Sequence, residues 1–240
     1  MILFGDEKQN IYKRALDEER RSKVVEGFGR WEKLTKSFRY AAESPIIPLV
    51  ESFQKAFLLE SYEVERDESF QLSLTNIGIQ SYGIFDATEM GQLAKEIISI
   101  AKNNNIHPND ISIISSQEEI LRNLDNVLRN SELHREKTLC SFPSHEVTKH
   151  PKYSESYEKI SRAKKIGFNL NSGVMKLSST HSFKGFESPF VFLLINSNDS
   201  PEMVFTGLTR AKENLMILLE GNSPYLDFFS KHLSKVEVVT

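Results

Sequence analysis

Apolar positions along the chain fall into two kinds of pattern that alternate with each other. Ile111-Ser112-Ile113-Ile114, the run 190–195 and the run 215–219 are almost wholly apolar, the pattern of short strands buried on both faces. A further strand is expected over 174–177, and alternating strand-like segments over 72–77 and 80–85. Between them lie stripes at helical spacing. Met90, Leu93, Ala94, Ile97, Ile98 and Ala101 mark one helix, ended by Asn103-Asn104-Asn105, and Ile120, Leu121, Leu124, Val127 and Leu128 mark another. Ser44-Pro45 starts a helix carrying Leu49, Val50, Phe53, Phe57 and Leu58, with Ser44 as N-cap and the proline in its tolerated first turn. A helix over 203–212 and a last one through Tyr225, Leu226, Phe228, Phe229 and Leu233 complete the series. Strands alternating with helices predict an α/β fold, a mostly parallel sheet covered by helices on both faces.

Two stretches break the alternation. Residues 13–32 are dense in charge up to Gly27 and Gly29 and read as a solvated helix or connector, with a domain boundary at 31–34. The short apolar run Ile2-Leu3-Phe4 before Gly5-Asp6 reads as the end of a buried strand, so residues 1–34 are expected to be the remnant of a preceding domain and 35–240 the main one. Residues 130–165 are charged, apolar only in patches and carry Pro143 and Pro151, the pattern of a surface insertion with at most a helix over 155–164.

Composition narrows the classes. At 240 residues and 39% hydrophobic the chain is neither disordered nor fibrous, and it has no apolar run of the roughly 20 residues a membrane helix needs. Its start has neither a basic n-region nor a long apolar core, and the single Cys140 forms no internal disulfide, so a cytoplasmic protein is expected. The formal net charge of −3 provides no global basic field, and any nucleic-acid contact must come from a local patch. His134, Cys140, His145 and His150 lack the tight pairing of a zinc site, and the histidines read as solvated loop residues. The cluster Arg162, Lys164 and Lys165 beside Tyr153 and Tyr157 reads either as a helix surface or as a nucleic-acid patch.

Two segments concentrate chemistry. Ser179-Thr180-His181-Ser182-Phe183-Lys184-Gly185-Phe186-Glu187 leaves the strand at 174–177 toward the carboxyl edge, where parallel sheets bind ligands, and Gly185 lets backbone approach a ligand closely. Taken alone it reads sooner as a polar strand-to-strand connection, and Thr209-Arg210 on its helix sooner as a solvated or salt-bridged arginine than as a phosphate ligand. Read in order with two earlier segments, they resemble a family. Gly5-Asp6-Glu7-Lys8-Gln9-Asn10-Ile11-Tyr12 resembles the third motif of UvrD/Rep-like superfamily-1 DNA helicases, and Leu34-Thr35-Lys36-Ser37-Phe38-Arg39 the fourth. The segment ending at Glu187 resembles the fifth, and Phe205-Thr206-Gly207-Leu208-Thr209-Arg210-Ala211-Lys212-Glu213-Asn214-Leu215 the sixth.

The resemblance implies a RecA-like second motor domain preceded by part of the first. It implies that Gln9 senses the γ-phosphate, that Arg39 reaches it, that Phe38 stacks on adenine and that Glu187 lies near the nucleotide. Arg210 matches the arginine finger. Tyr12 matches an aromatic that stacks on a base of single-stranded DNA, and Thr180 and His181 match positions near the DNA backbone. Where family members often carry a tryptophan two positions after that tyrosine, this chain has Arg14. The interval 40–178 is shorter than one holding the large extra subdomain of many relatives.

Independently of the family, phosphoryl transfer needs positive charge on the equatorial oxygens, which Arg210 and Arg39 can supply. The string G-x-x-x-x-G-K-[ST], whose amides and lysine cradle phosphates, does not occur in the chain, nor does a carboxylate ending an apolar strand to hold Mg²⁺. The expectation is the C-terminal portion of an ATP-dependent DNA helicase or translocase, with ATP and Mg²⁺ held partly by another chain or domain that carries the phosphate loop. The alternatives are a non-catalytic DNA- or protein-binding module and a truncated gene product without function.

Overall fold

The computed structural model describes residues 44, 46–58, 80–130, 135–149 and 156–236. Gln9, Tyr12, Phe38 and Arg39, the boundary at 31–34, the segment at 72–77, and His134, His150 and Tyr153 lie outside the described residues.

The described chain runs α1 (Ile46–Phe57), β1 (Gln80–Phe85), α2 (Met90–Asn103), a 3₁₀ turn (Pro108–Asp110), β2 (Ile111–Ser115), α3 (Glu118–Asn130) and β3 (Thr138–Cys140). It continues through α4 (His145–Lys149), α5 (Tyr157–Gly167), β4 (Met175–Ser179), α6 (Thr180–Phe183), β5 (Ser188–Ile195), α7 (Pro201–Leu208), β6 (Ala211–Glu220), α8 (Leu226–His232) and β7 (Ser234–Lys235). One seven-stranded sheet has the order β3-β4-β2-β5-β6-β1-β7, and all its pairings are parallel.

The apolar runs are continuous because both faces of the sheet are covered. Phe190, Phe192, Leu194, Met216 and Leu218 join the core beneath α2 and α3. Val191, Leu193, Ile195, Leu215, Ile217 and Leu219 join the opposite core, beneath α1, α7 and α8. Alternate residues of each strand therefore serve different cores. On the second face α1 is locked to α8 by rings: Phe53 lies 4.7 Å from Phe57, 5.6 Å from Tyr225, 5.4 Å from Phe228 and 5.9 Å from Phe229, centroid to centroid. Among the described residues no helix is long and apolar enough to cross a membrane.

Several elements differ from the sequence reading, among them α4, a second helix in a stretch expected to hold at most the one over 155–164, and the short β7. Part of 130–165 enters the sheet: Thr138, Leu139 and Cys140 pair with Met175, Lys176 and Leu177, and the following Ser141 and Phe142 are each 1% exposed. Three residues are too few to show a hydrophobic period, so this edge strand is recognisable only by its partner. The helix expected over 203–212 ends at Leu208. The amide of Thr209 donates to the carbonyl of Phe205 (3.2 Å), that of Arg210 donates to Gly207 (3.0 Å), and Ala211 already belongs to β6.

Phe53 is wholly buried among four rings. Phe53→Ala is expected to lower the unfolding free energy by about 3 to 5 kcal/mol, measured by urea denaturation, because the cavity left between α1 and α8 has no side chain to close it.

Candidate functional site

In a parallel sheet every strand ends at the same edge, so a residue's place relative to its strand decides which edge it occupies. Thr180 and His181 directly follow β4 and stand at the carboxyl edge, Thr180 buried and His181 half-buried. Glu187 and Arg210 directly precede β5 and β6 and stand at the amino edge. The fifth and sixth segments thus do not gather at the carboxyl edge alone. Residues 180–187 cross the depth of the sheet, because β4 and β5 point the same way on either side of β2.

Local chemistry shapes this crossing. The Ser179 hydroxyl caps α6 by accepting from the amide of Ser182 (3.4 Å). Gly185 then takes φ of +97°, a conformation that favours glycine. Phe183 and Phe186 pack on each other and on Phe168, with centroids 5.8 to 6.2 Å apart.

At the amino edge Arg210 is 2% exposed. Its Nε donates to the Thr206 carbonyl (2.9 Å), Nη1 to the Phe186 carbonyl (3.3 Å) and Nη2 to the Thr209 hydroxyl (2.8 Å). The guanidinium therefore ties the fifth segment to the sixth, reinforced by the Ser188 amide donating to the Arg210 carbonyl (3.0 Å). Glu187 lies 3.9 Å from Lys212. A register shift in the β5–β6 pairing between Ser188 and Phe190 falls beside these residues. Packing fixes the approach: a Cβ at Gly207 would stand 2.4 Å from Leu193 Cδ1, so any larger residue would force the Leu193 side chain or α7 to shift.

The carboxyl edge holds a polar network that motif reading missed. Asn196, fully buried, donates through Nδ2 to the hydroxyls of Ser115 and Ser116 (3.0 Å each), and its amide donates to Asp199 Oδ2 (2.9 Å). Ser116 donates to Asp199 Oδ1, and the Tyr225 hydroxyl donates to the Asp199 carbonyl (2.7 Å). Burial pushes the Asp199 carboxyl above its ordinary value, against the lowering effect of these donors. The signal was present in the sequence: Ser115-Ser116 and Asn196 are the first polar residues after two apolar runs. A second feature of this edge is a cavity of about 510 Å³ at the ends of β1 and β6, lined by Asp86, Glu89, Glu96 and Glu220. Four carboxylates make it repellent to a phosphate.

The fit to ATP and Mg²⁺ is one-sided. Arg210 supplies a guanidinium at the amino edge, with Glu187 and Gly185 on the adjoining segment, while the acidic cavity is no place for a triphosphate. Among the described residues no group of three histidines, cysteines or carboxylates is placed to hold a metal ion. Cys140 and His145 are not joined in such a group; burial raises the Cys140 thiol far above its ordinary range.

No protein-family model matches the chain, and no curated protein matches it. Among solved structures it resembles the C-terminal domain of a possible DNA helicase from Lactobacillus plantarum WCFS1, at 12% identity and TM-score 0.51, over 82% of this chain and 99% of that one. At that identity the likeness is one of fold alone, an α/β fold built on a parallel sheet. The arterivirus nonstructural protein 10 helicase, solved in complex with DNA, aligns at 12% identity and TM-score 0.40 over 67% of this chain and 35% of its own, too slight a likeness to argue from.

Removing the buried guanidinium takes a donor from the Phe186 carbonyl, the Thr209 hydroxyl and the Thr206 carbonyl, of which the last still accepts from the Thr209 hydroxyl (2.9 Å). Arg210→Met is expected to destabilise the fold by about 2 kcal/mol or more in urea denaturation. For Asp199, a folded-state value above 3.8 means that the folded protein holds this proton more tightly than the unfolded chain. Its contribution is greatest with the carboxyl protonated and declines as pH rises from about 3.8 through the folded value. The stability difference between wild type and Asp199→Asn should decline over that interval, and a pH-independent difference in urea midpoints would contradict the assignment.

Proposed function

We propose that this chain works as the second motor domain of an ATP-driven, superfamily-1 type nucleic-acid translocase of the UvrD/Rep kind, in the cytoplasm. The observation that carries the reading is the split of the matched residues between the two edges of one rigid sheet. Thr180 and His181 stand at one edge and Glu187 and Arg210 at the other, joined by a segment of eight residues pinned at Phe183, Phe186 and Arg210. A motor needs separate places for strand and nucleotide with a stiff connection between them, and this segment is such a connection.

In this reading Thr180 and His181 contact single-stranded DNA, Arg210 faces the triphosphate from across a domain cleft, and Glu187 and Gly185 border it. Gln9, Tyr12, Phe38 and Arg39 take the roles that the resemblance implies. The phosphate loop and the Mg²⁺ carboxylates come from another domain or chain. ATP supplies the driving reaction when bound between the two. On this chain, the guanidinium would exchange the Phe186 carbonyl and Thr209 hydroxyl for a phosphate oxygen as the domains close, and would supply positive charge there. That exchange would transmit closure along the 180–187 segment to the nucleic-acid edge.

The inward engagement of Arg210 favours a second reading, a non-catalytic binding module in which the arginine only braces the fold. The two readings part at Arg210→Lys, which keeps the charge but not the planar fork. In a complex with the partner that supplies the phosphate loop, this change abolishes ATP turnover if the motor reading holds and leaves function intact if the module reading does.

The purified chain alone is expected to release no phosphate from ATP above background, with or without single-stranded oligonucleotide. It should bind that oligonucleotide in fluorescence anisotropy, more weakly after His181→Ala. Robust DNA-stimulated turnover by the chain alone would overturn the division of labour proposed here.

A further inference from the structure

Helix α5 is the anomaly of the described surface. None of its residues is buried. Only Tyr157, Ile160, Ser161 and Lys164, at i, i+3, i+4 and i+7, are partly covered, so the rest of the helix faces solvent. The open side carries Lys159, Arg162 and Lys165, all exposed, with Ile166 at 78% exposure beside them. Glu158 is the one carboxylate on the helix, and none of the three cations forms an ion pair with a described residue. Lys164 and Lys165 also complement the carbonyl end of the helix, but Lys159 and Arg162 stand too far from that end to owe their place to it.

A groove of about 420 Å³ lies along the helix, lined by Tyr157, Glu158, Ser161, Arg162, Lys165 and Ile166, with Lys159 beside it on the open side. An aromatic ring and cations spaced along a groove suit a single strand, whose phosphates pair with the cations while its bases meet flat or apolar side chains. The position agrees. At the start of α5 the Tyr157 hydroxyl accepts from Arg122 Nη2 (3.3 Å), and just beyond its end Phe168 packs on Phe183, the last residue of the helix that begins with Thr180 and His181.

We propose that the basic groove of α5 binds the backbone of single-stranded DNA and extends the track that begins at Thr180 and His181. The proposal rests on the nucleic-acid reading of the preceding section. The local field is what makes this helix selective: in a chain of net charge −3, a strand is repelled by the cavity of Asp86, Glu89, Glu96 and Glu220 and attracted to α5.

The test is anisotropy of a labelled single-stranded oligonucleotide with the full chain across a salt series, comparing wild type with K159Q/R162Q/K165Q. None of the three residues is buried, so the variant should keep the wild-type thermal midpoint. Loss of three phosphate contacts is expected to flatten the slope of log K against log salt by about 2 and to weaken binding on the order of 100-fold at 0.1 M salt. An unchanged slope and affinity in the variant, with His181→Ala still weakening binding, would overturn the role of α5 and leave the reading at His181 standing. A wild-type chain that binds no oligonucleotide would overturn both. Poly-glutamate displacing the oligonucleotide as effectively as unlabelled DNA would assign the groove to an acidic protein and also overturn the proposal.

Discussion

Parallel pairing of β5 with β2 on one side and β6 on the other is the constraint from which the remaining organisation follows. A parallel strand must be re-entered from the same edge each time, so every connection crosses the full depth of the sheet and every loop belongs to one edge. Both faces of β5 are consumed by cores, one under α2 and α3 and one under α1, α7 and α8. Polar chemistry is thereby driven to the two rims. Ser115, Ser116, Asn196 and Asp199 gather at one rim and Glu187, Ser188 and Arg210 at the other.

The two rims are joined by close packing. Gly207 brings α7 against Leu193, which sets where Thr206 and Thr209 stand, and these in turn receive the guanidinium of Arg210. The same guanidinium reaches the Phe186 carbonyl, and Phe186 is wedged against Phe183 and Phe168. Interiors this dense transmit displacement because they have no slack to absorb it. An arginine buried here is held by three acceptors that recover the hydrogen bonds it gave up in leaving water. Its engagement braces the end of α7 against the segment before β5.

Charge is partitioned as sharply as polarity. The carboxylates of Asp86, Glu89, Glu96 and Glu220 converge at the ends of β1 and β6, while Lys159, Arg162 and Lys165 line α5 on a segment that the sheet leaves largely uncovered. A nearly balanced total hides two opposed local fields, and screening confines each to about 8 to 10 Å at ordinary salt. Recognition of a polyanion on this molecule therefore depends on which patch it meets.

Periodicity by itself determined the class of fold and most of its elements, because a strand with two buried faces has to be apolar throughout and a helix with one has to be striped. The run 190–195 and the stripe from Met90 to Ala101 stand in the structure as β5 and α2. The sequence also marked Thr180, His181, Glu187 and Arg210 as one set of chemical residues, and it marked the basic cluster of α5. It already placed Thr180 and His181 after a strand, toward the carboxyl edge, but it gave no sign that Arg210 stands at the amino edge, because the helix expected over 203–212 hid the start of β6 at Ala211. Nor could it show Thr138–Cys140 as a strand, for three residues have no period of their own. The end of α7 at Leu208 was hidden for a related reason: Thr209 and Arg210 are turned out of the helix by bonds to its last carbonyls and by the demand of β6 for a parallel partner, and only the assembled sheet imposes that demand.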